Sequence, residues 1–217
     1  MDLLIKADFH AHSCYSQDSL TPVKQLIDRA RAAGLGRLAL TDHNTIEGAL
    51  LAQQMAPDLV IVGEEIKTTS GELLAIFVTE PVPKGLPPLE AIDRLRAQDA
   101  FISVSHPFDP YRSGWRLDEL QGLVHLVDAI ETFNARCWKP AWNHQAQQFA
   151  NRYNLPGTTG TDAHTLPEVG RSYLSLPQFS SAAELRGVIR QAESTGRYAT
   201  PFSRLGSRLA ALLNREN

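Results

Sequence analysis

The sequence predicts an α/β domain built on a parallel sheet that helices cover. Three observations predict it. Apolar runs of strand length alternate with helix-length stretches of 3.6-residue periodicity along the chain. About seven such units follow one another, which favours a closed barrel over an open sheet. The length, 217 residues, suits a single domain with a full core, and no repeat, low-complexity tract or Gly/Ser linker divides it.

The elements follow in order. LLIKADF reads as the first strand, and TPVKQLIDRARAAG as the first helix. Thr21 is placed to cap that helix, Pro22 suits its first turn, and Gly34 can end it. Val23, Leu26, Ile27 and Ala30 give it an apolar stripe. RLALTDH is a strand and TIEGALLAQQMA a helix. DLVIVGEEIKT and GELLAIFVT are two strands joined by a tight turn near Ser70 and Gly71. PLEAIDRLRAQDA is helical, FISVSHP a strand, LDELQGLVHLV a weaker helix and DAIETFN a strand. A long helix runs from Pro140 to Tyr153. GTTGTDAH and RSYLSL are strands, SAAELRGVIRQAEST is a helix, and a last helix spans Ser203 to Asn214. The tail after Pro201, with Leu205, Leu209, Leu212 and Leu213, is expected to close the domain rather than pair with a second subunit.

Composition excludes several functions. A net charge of -3 provides no basic stripe for long nucleic acid, though a short oligonucleotide stays open. No apolar run is long enough for a membrane-spanning helix. MDLLIKADFH lacks the pattern of a secretory signal, and two cysteines, Cys14 and Cys137, make no disulfide scaffold. A cytoplasmic protein is the expectation.

The chemistry lies in the histidines. In DFHAHSCYSQDS, His10 and His12 stand at i and i+2 of a strand, so both can face one ion, with Asp8 on the same face to orient a histidine. In TDHN, Asp42 and His43 are neighbours and point apart, so at most one is a ligand. GEE offers Glu64 and Glu65, SHP offers His106, and TDAH offers Asp162 and His164, again at i and i+2. Five of the seven histidines end predicted strands. In a β/α barrel those ends form one rim, where catalytic groups collect. Five imidazoles with several carboxylates exceed the usual four ligands of one zinc ion and suit two or three ions of manganese, iron or zinc type.

DFHAH, TDHNTIEG, GEEIKT, SHPFD and GTDAH, in this order and spacing, resemble the PHP (polymerase and histidinol phosphatase) superfamily, and most closely its stand-alone metal-dependent phosphoesterases. The resemblance spans roughly residues 8 to 173. It implies a distorted (β/α)7 TIM-like barrel over residues 1–200, in a single domain spanning 1–217, with a trinuclear metal centre. It implies that His10, His12, Glu65 and Asp162 hold the first ion, and that Glu65 bridges to a second, which His106 also holds. Asp18, His43 and His164 would hold the third, Asp18 being chosen because the preceding position is Gln17. Many members carry a histidine where this chain has Glu72, a harder oxygen ligand that tilts the second site toward manganese or magnesium-like ions and away from zinc, the alternative being a second ion that is weakly held or absent.

The implied reaction is hydrolysis of a small phosphomonoester or phosphodiester. A hydroxide bridging two ions would attack phosphorus, with Asp162 or His164 moving the leaving-group proton. Lys67, Arg136 and Arg171 are the candidate substrate contacts, and Arg112 and Arg116 lie in a loop that could fold over the site. Glu131 and Asn134 could line the rim, Asp8 and Asp42 are expected behind the ligands, and Glu64 is a neighbour rather than a ligand. His125 and His144 belong to helices outside the motifs. Two alternatives remain: an amidohydrolase cutting a C–N bond at the same metals, and a non-catalytic PHP module.

Overall fold

The protein, a computed structural model, is described for residues 4–112 and 114–200, so the helix expected at 203–214 lies outside the described residues. Its strands are β1 (Leu4–Ala11), β2 (Arg37–Leu40), β3 (Val60–Lys67), β4 (Glu72–Ile76), β5 (Phe101–Val104), β6 (Ala129–Asn134), β7 (Gly157–Gly160), β8 (Ser172–Pro177) and β9 (Glu193–Gly196). Its helices are α1 (Val23–Ala32), α2 (Glu47–Met55), α3 (Pro88–Ala97), α4 (Leu117–Leu123), α5 (Pro140–Tyr153) and α6 (Ala182–Val188).

The sheet runs β7-β6-β5-β4-β3-β2-β1-β8-β9. It curls into a nearly closed barrel, because the end of β1 meets the end of β7: the His12 N–H donates to the Ala163 carbonyl at 2.9 Å and the Asp162 N–H to the His10 carbonyl at 2.7 Å. This is the TIM-like barrel expected, with one correction. The sheet is mixed, not parallel. β4 runs antiparallel to both β3 and β5, and β8 runs antiparallel to β1 and β9. The cause of the first reversal is the short turn after Lys67, where the Thr68 hydroxyl donates to the Gly71 carbonyl at 2.6 Å: a link this short makes a hairpin, not a crossover.

A second correction concerns SAAELRGVIRQAEST. It is helical only to Val188, with a 3-10 turn through Gln191. Glu193–Gly196 then becomes β9 on the free edge of β8. Pairing with an open sheet edge overrides helix propensity there. Among the described residues no helix is long and apolar enough to cross a membrane.

Ala7, Phe9, Ala39, Ile61, Ile76, Phe101, Ala129 and Leu174 come from seven strands around the barrel and form one buried cluster with Leu185 and Ile189 of α6 and its following turn. The interior is therefore packed at one end and plugged by α6. A second cluster joins the outward faces of the strands to α1, α2 and α3 through residues such as Leu26, Leu38, Val62, Ile92 and Ile102. The polar residues of the interior lie toward the other end.

Candidate metal centre

The strand faces that bury apolar side chains at one end turn polar at the other. Ile61 and Glu65 share a face of β3 by the period of two, as do Phe101 and Ser103 on β5. β1 does not follow simple alternation. Its pairing with β2 shifts register between Asp8 and Ala11, so Phe9 joins the apolar interior while the next residue, His10, enters the polar site. A bulge re-aims side chains in this way. The expectation that Asp8, His10 and His12 share a face by strict alternation is corrected accordingly. The Asp8 carboxylate accepts from the Thr161 hydroxyl at 2.6 Å and from the N–H groups of Thr161 and His10, so it fixes backbone rather than a ring.

Three groups of side chains converge: His10, His12 and Asp162; His12, His43 and His164; and Glu65, Glu72 and His106. Within each group the ligand atoms lie within 4.8 Å of one another. Glu65 is the hub. Its Oε2 lies 3.2 Å from His10 Nε2, 3.4 Å from His12 Nε2 and 3.0 Å from His43 Nδ1, while Oε1 lies 3.0 Å from His106 Nε2. Asp162 Oδ1 lies 3.4 Å from His12 Nε2. Asp18 reaches in from the loop after β1, 2.9 Å from His164 Nε2 and 3.5 Å from His43 Nε2. Glu72 Oε2 is 3.5 Å from His106 Nε2. Glu72 starts its strand, but β4 is reversed, so that start lies on the rim where β3 and β5 end.

Surrounding groups fix the rings. Glu131 Oε1 takes His10 Nδ1 at 2.9 Å. Ser16 Oγ spends its hydrogen on Asp42 at 2.7 Å and so accepts from His12 Nδ1 at 3.1 Å and from the His43 N–H. His164 Nδ1 donates to the Asp162 carbonyl at 2.8 Å. With Nδ1 engaged, each of these rings presents Nε2 to the centre. Asp42 accepts from the Ser13 N–H and hydroxyl and from the Ser16 hydroxyl.

The donor set fits cations. His10 Nε2 and His12 Nε2 face each other at 3.0 Å, a separation that needs a proton or a cation between two lone pairs. Glu65 Oε2, Asp162 Oδ1, Asp18 Oδ1 and His164 Nε2 are buried atoms with no hydrogen-bond partner among the described residues, and all point into the centre. Buried polar atoms are otherwise satisfied as a rule. Strained backbone accompanies them: His106 has φ 21° and Asp162 φ 52°, both uncommon for residues with a Cβ.

The electrostatics follow. Burial opposes ionising Glu65, but His10 and His43 outweigh it and hold its pKa well below the usual range. Burial likewise opposes ionising Asp162, and Arg112, then His10, hold it low. Arg112, in a turn formed by Pro110–Arg112, forms an ion pair with Asp162 Oδ2 and donates to Asn134 Oδ1 at 3.3 Å. The Asn134 amide in turn donates to Asp162 Oδ2 at 2.9 Å and to Glu131 at 3.1 Å.

The other cations are placed differently. Lys67 lines the cavity that opens on the centre. Arg136 is buried with Nη1 3.4 Å from Glu168. Arg171 is half-buried and donates to the carbonyls of Pro167 and Tyr198. Arg116 is exposed and pairs with Asp118. His125 and His144 are exposed, away from the centre. Glu168 escaped the sequence reading. It is buried and accepts from the N–H groups of His164 and Thr165, holding the loop that carries His164. Thr21 does not cap α1; its hydroxyl donates to the His164 carbonyl at 3.0 Å. A side-chain-to-backbone bond across the fold leaves no local sequence signal.

A nearly closed α/β barrel with three neighbouring nitrogen and oxygen clusters on one rim defines a class of protein whose donor set suits a di- or trinuclear metal site. The chain belongs to the PHP domain family, whose model matches residues 8–155; a PHP-associated model matches 140–194. An uncharacterised protein of Methanocaldococcus jannaschii is 34% identical over 180 residues, covering 81% of this chain and 72% of its own. A 5'-3' exoribonuclease of Haemophilus influenzae is 42% identical over 66 residues, 29% of this chain and 24% of the other. Among solved structures, a two-domain protein of Bacteroides vulgatus containing a predicted PHP-like metal-dependent phosphoesterase superposes with a TM-score of 0.74 at 22% identity, covering 90% of this chain and 66% of that one.

Proposed function

We propose that the protein is a metal-dependent phosphoesterase that hydrolyses a small phosphomonoester or phosphodiester. One observation carries the reading: Glu65 reaches a histidine of each of the three clusters through its two oxygens. His10, His12, Glu65 and Asp162 would hold one ion, Glu65, Glu72 and His106 a second, and Asp18, His43 and His164 a third. Manganese suits the oxygen-rich Glu72 cluster best, and iron or zinc the histidine-rich ones.

Bound ions supply positive charge for the phosphoryl oxygens and lower the pKa of water. The chain's own residues supply the rest. Arg112, beside Asp162, adds charge where the phosphoryl oxygens gather. Glu131 keeps His10 Nε2 aimed inward. Asp162 or His164 would move the leaving-group proton, His164 with Nε2 toward Asp18. A cytoplasmic location belongs to the same reading, supported by two cysteines that are both free thiols.

The test begins with metal content. Protein purified without chelator is expected to carry two or three transition-metal ions per chain, fewer in His10→Ala, and to release phosphate from a phosphoester panel. Asp162→Ala is expected to stay folded and lose turnover. Full activity in Asp162→Ala would remove it from the mechanism. Release of carboxylate from amides, with phosphoesters untouched, would favour the amidohydrolase. No bound metal after manganese is supplied would favour the non-catalytic module.

A further inference from the structure

A second cavity, on the outer wall of the barrel, gathers positive charge. Ala7 and Leu174 point into the packed interior, so Lys6 and Tyr173, each one residue away, point outward. The cavity they help to line measures about 640 Å³, within the roughly 300–1,000 Å³ of small-molecule sites. Lys6, Arg29, Arg171 and Arg197 line it, and no carboxylate does. None of the four has an ion pair among the described residues, whereas Arg31, Arg94, Arg96, Arg116 and Arg186 each pair with an acid. None of the lining residues belongs to the three clusters of the metal centre.

The backbone holds these cations together. Gly170 has φ 81°, and a Cβ there would lie 2.4 Å from that of Ala33. The loop before β8 therefore passes tightly over the end of α1 and brings Arg171 toward Arg29 in its last turn. The Arg197 N–H donates to the Arg171 carbonyl at 3.1 Å, which keeps the two side by side. The carbonyls of Pro167 and Tyr198 aim the Arg171 guanidinium. Residues 201–217 offer Arg204, Arg208 and Arg215 against Glu216, so the sequence that follows adds positive charge. In a chain of net charge -3, four cations in one cavity concentrate a field that draws anions.

We propose that this cavity binds a polyphosphate chain, as an effector separate from the ester that is cut. Arginine forks grip phosphate oxygens in pairs, lysine adds a compact point charge, and together they answer the charge of about two or three linked phosphates. The barrel wall stands between this ligand and the metal centre. Its route to the centre is the loop that Arg171 ends. The Arg171 N–H donates to the Glu168 carbonyl at 3.0 Å, and the Glu168 carboxylate accepts from the His164 N–H at 3.1 Å. The proposal rests on these cations and not on the phosphoesterase reading. A free inorganic polyphosphate and the triphosphate of a nucleotide offer the same chemistry.

Calorimetry on protein purified without chelator compares inorganic phosphate, inorganic triphosphate and the β,γ-methylene analogue of ATP, whose terminal P–C–P bridge resists hydrolysis. At least one of the two triphosphates is expected to bind about tenfold or more tightly than phosphate. That affinity is expected to fall about tenfold or more in Arg29→Gln/Arg197→Gln and to vanish in Arg29→Glu/Arg197→Glu. Arg29 is half-buried and Arg197 exposed, so both variants are expected to keep the circular dichroism of the unaltered protein. Stripping the metal with chelator, then removing the chelator, is expected to leave the affinity unchanged. Triphosphates that bind no better than phosphate, or affinity that both arginine variants retain, would overturn the proposal. So would affinity that disappears with the metal, since it would belong to the centre. Inorganic triphosphate binding as tightly as the ATP analogue, or more so, assigns the ligand to the phosphate chain alone; tighter binding of the analogue assigns it to a nucleotide.

Discussion

His10 and His12 face each other with opposite protonation preferences. Burial opposes charge on His10, but Glu65, Asp162 and Glu131 outweigh it and raise its pKa well above the ordinary value. Burial, then His164 and His43, push His12 well below it. His43 is raised like His10, by Glu65 and Asp18 against burial. A metal needs the neutral ring, so loading must displace protons from His10 and His43. Because their pKa values are raised, apparent metal affinity is expected to climb as pH rises through neutrality. Calorimetry in buffers of different ionisation enthalpy checks this; an isotherm independent of buffer and pH would contradict it. Glu64 makes a separate prediction. Burial, only partly offset by the Val82 N–H, raises its pKa to about 7 from 4.5. The folded state holds that proton longer than the unfolded chain, so stability falls as pH rises from about 4.5 to 7 and stays lower above. Glu64→Gln keeps the acceptor for Val82 and is expected to raise stability at pH 8 by on the order of 1–3 kcal/mol, with little change near pH 4. Urea melts at the two pH values read the difference. The ligand candidates were legible at this scale because each stands in a short local block. Glu131, Ser16 and Glu168 were harder to read, since their roles depend on partners distant in sequence.

At the scale of elements, alternation of strands and helices was legible, and strand direction was not. Sequence periodicity is the same for a strand running either way. Only the short link after Lys67 disclosed a hairpin, and its consequence for Glu72 lies in the reversal of β4. β9 was hidden because Glu193–Gly196 has no strand pattern and pairs through an edge supplied elsewhere. The contact between β7 and β1 yields a prediction. A Cβ at Gly160 would lie 2.3 Å from His10 Cβ and 2.7 Å from Glu131 Oε1. Gly160→Ala must therefore push His10 off Glu131. Displacing a partner that orients a ligand costs about 10–100-fold in metal affinity, and that loss is expected here with far-ultraviolet dichroism unchanged. Unaltered affinity would show that the two strands separate freely.

The whole molecule holds its charged centre between a packed end and an open cavity, with the Pro110–Arg112 turn across one side. Arg112 is largely buried and its partner Asp162 fully so. Removing one member of a buried pair costs about 3–5 kcal/mol when the other charge is left without compensation. Arg112→Ala is expected to lose several kcal/mol in chelated protein and clearly less with manganese present, since a cation on Asp162 Oδ1 restores compensation. Denaturant melts with and without metal provide the comparison; equal losses would mean that arginine and metal do not share Asp162. Closure of the barrel also has a consequence for synthesis. The hydrogen bonds between His10 and Asp162 and between His12 and Ala163 join the first strand to the last one of the ring. A chain still emerging from the ribosome carries His10, His12, His43, Glu65 and His106 long before Asp162 and His164 exist. The centre is thus a receipt for complete folding: strong metal capture must wait until the ring has closed, and a truncated product is left with half a cage.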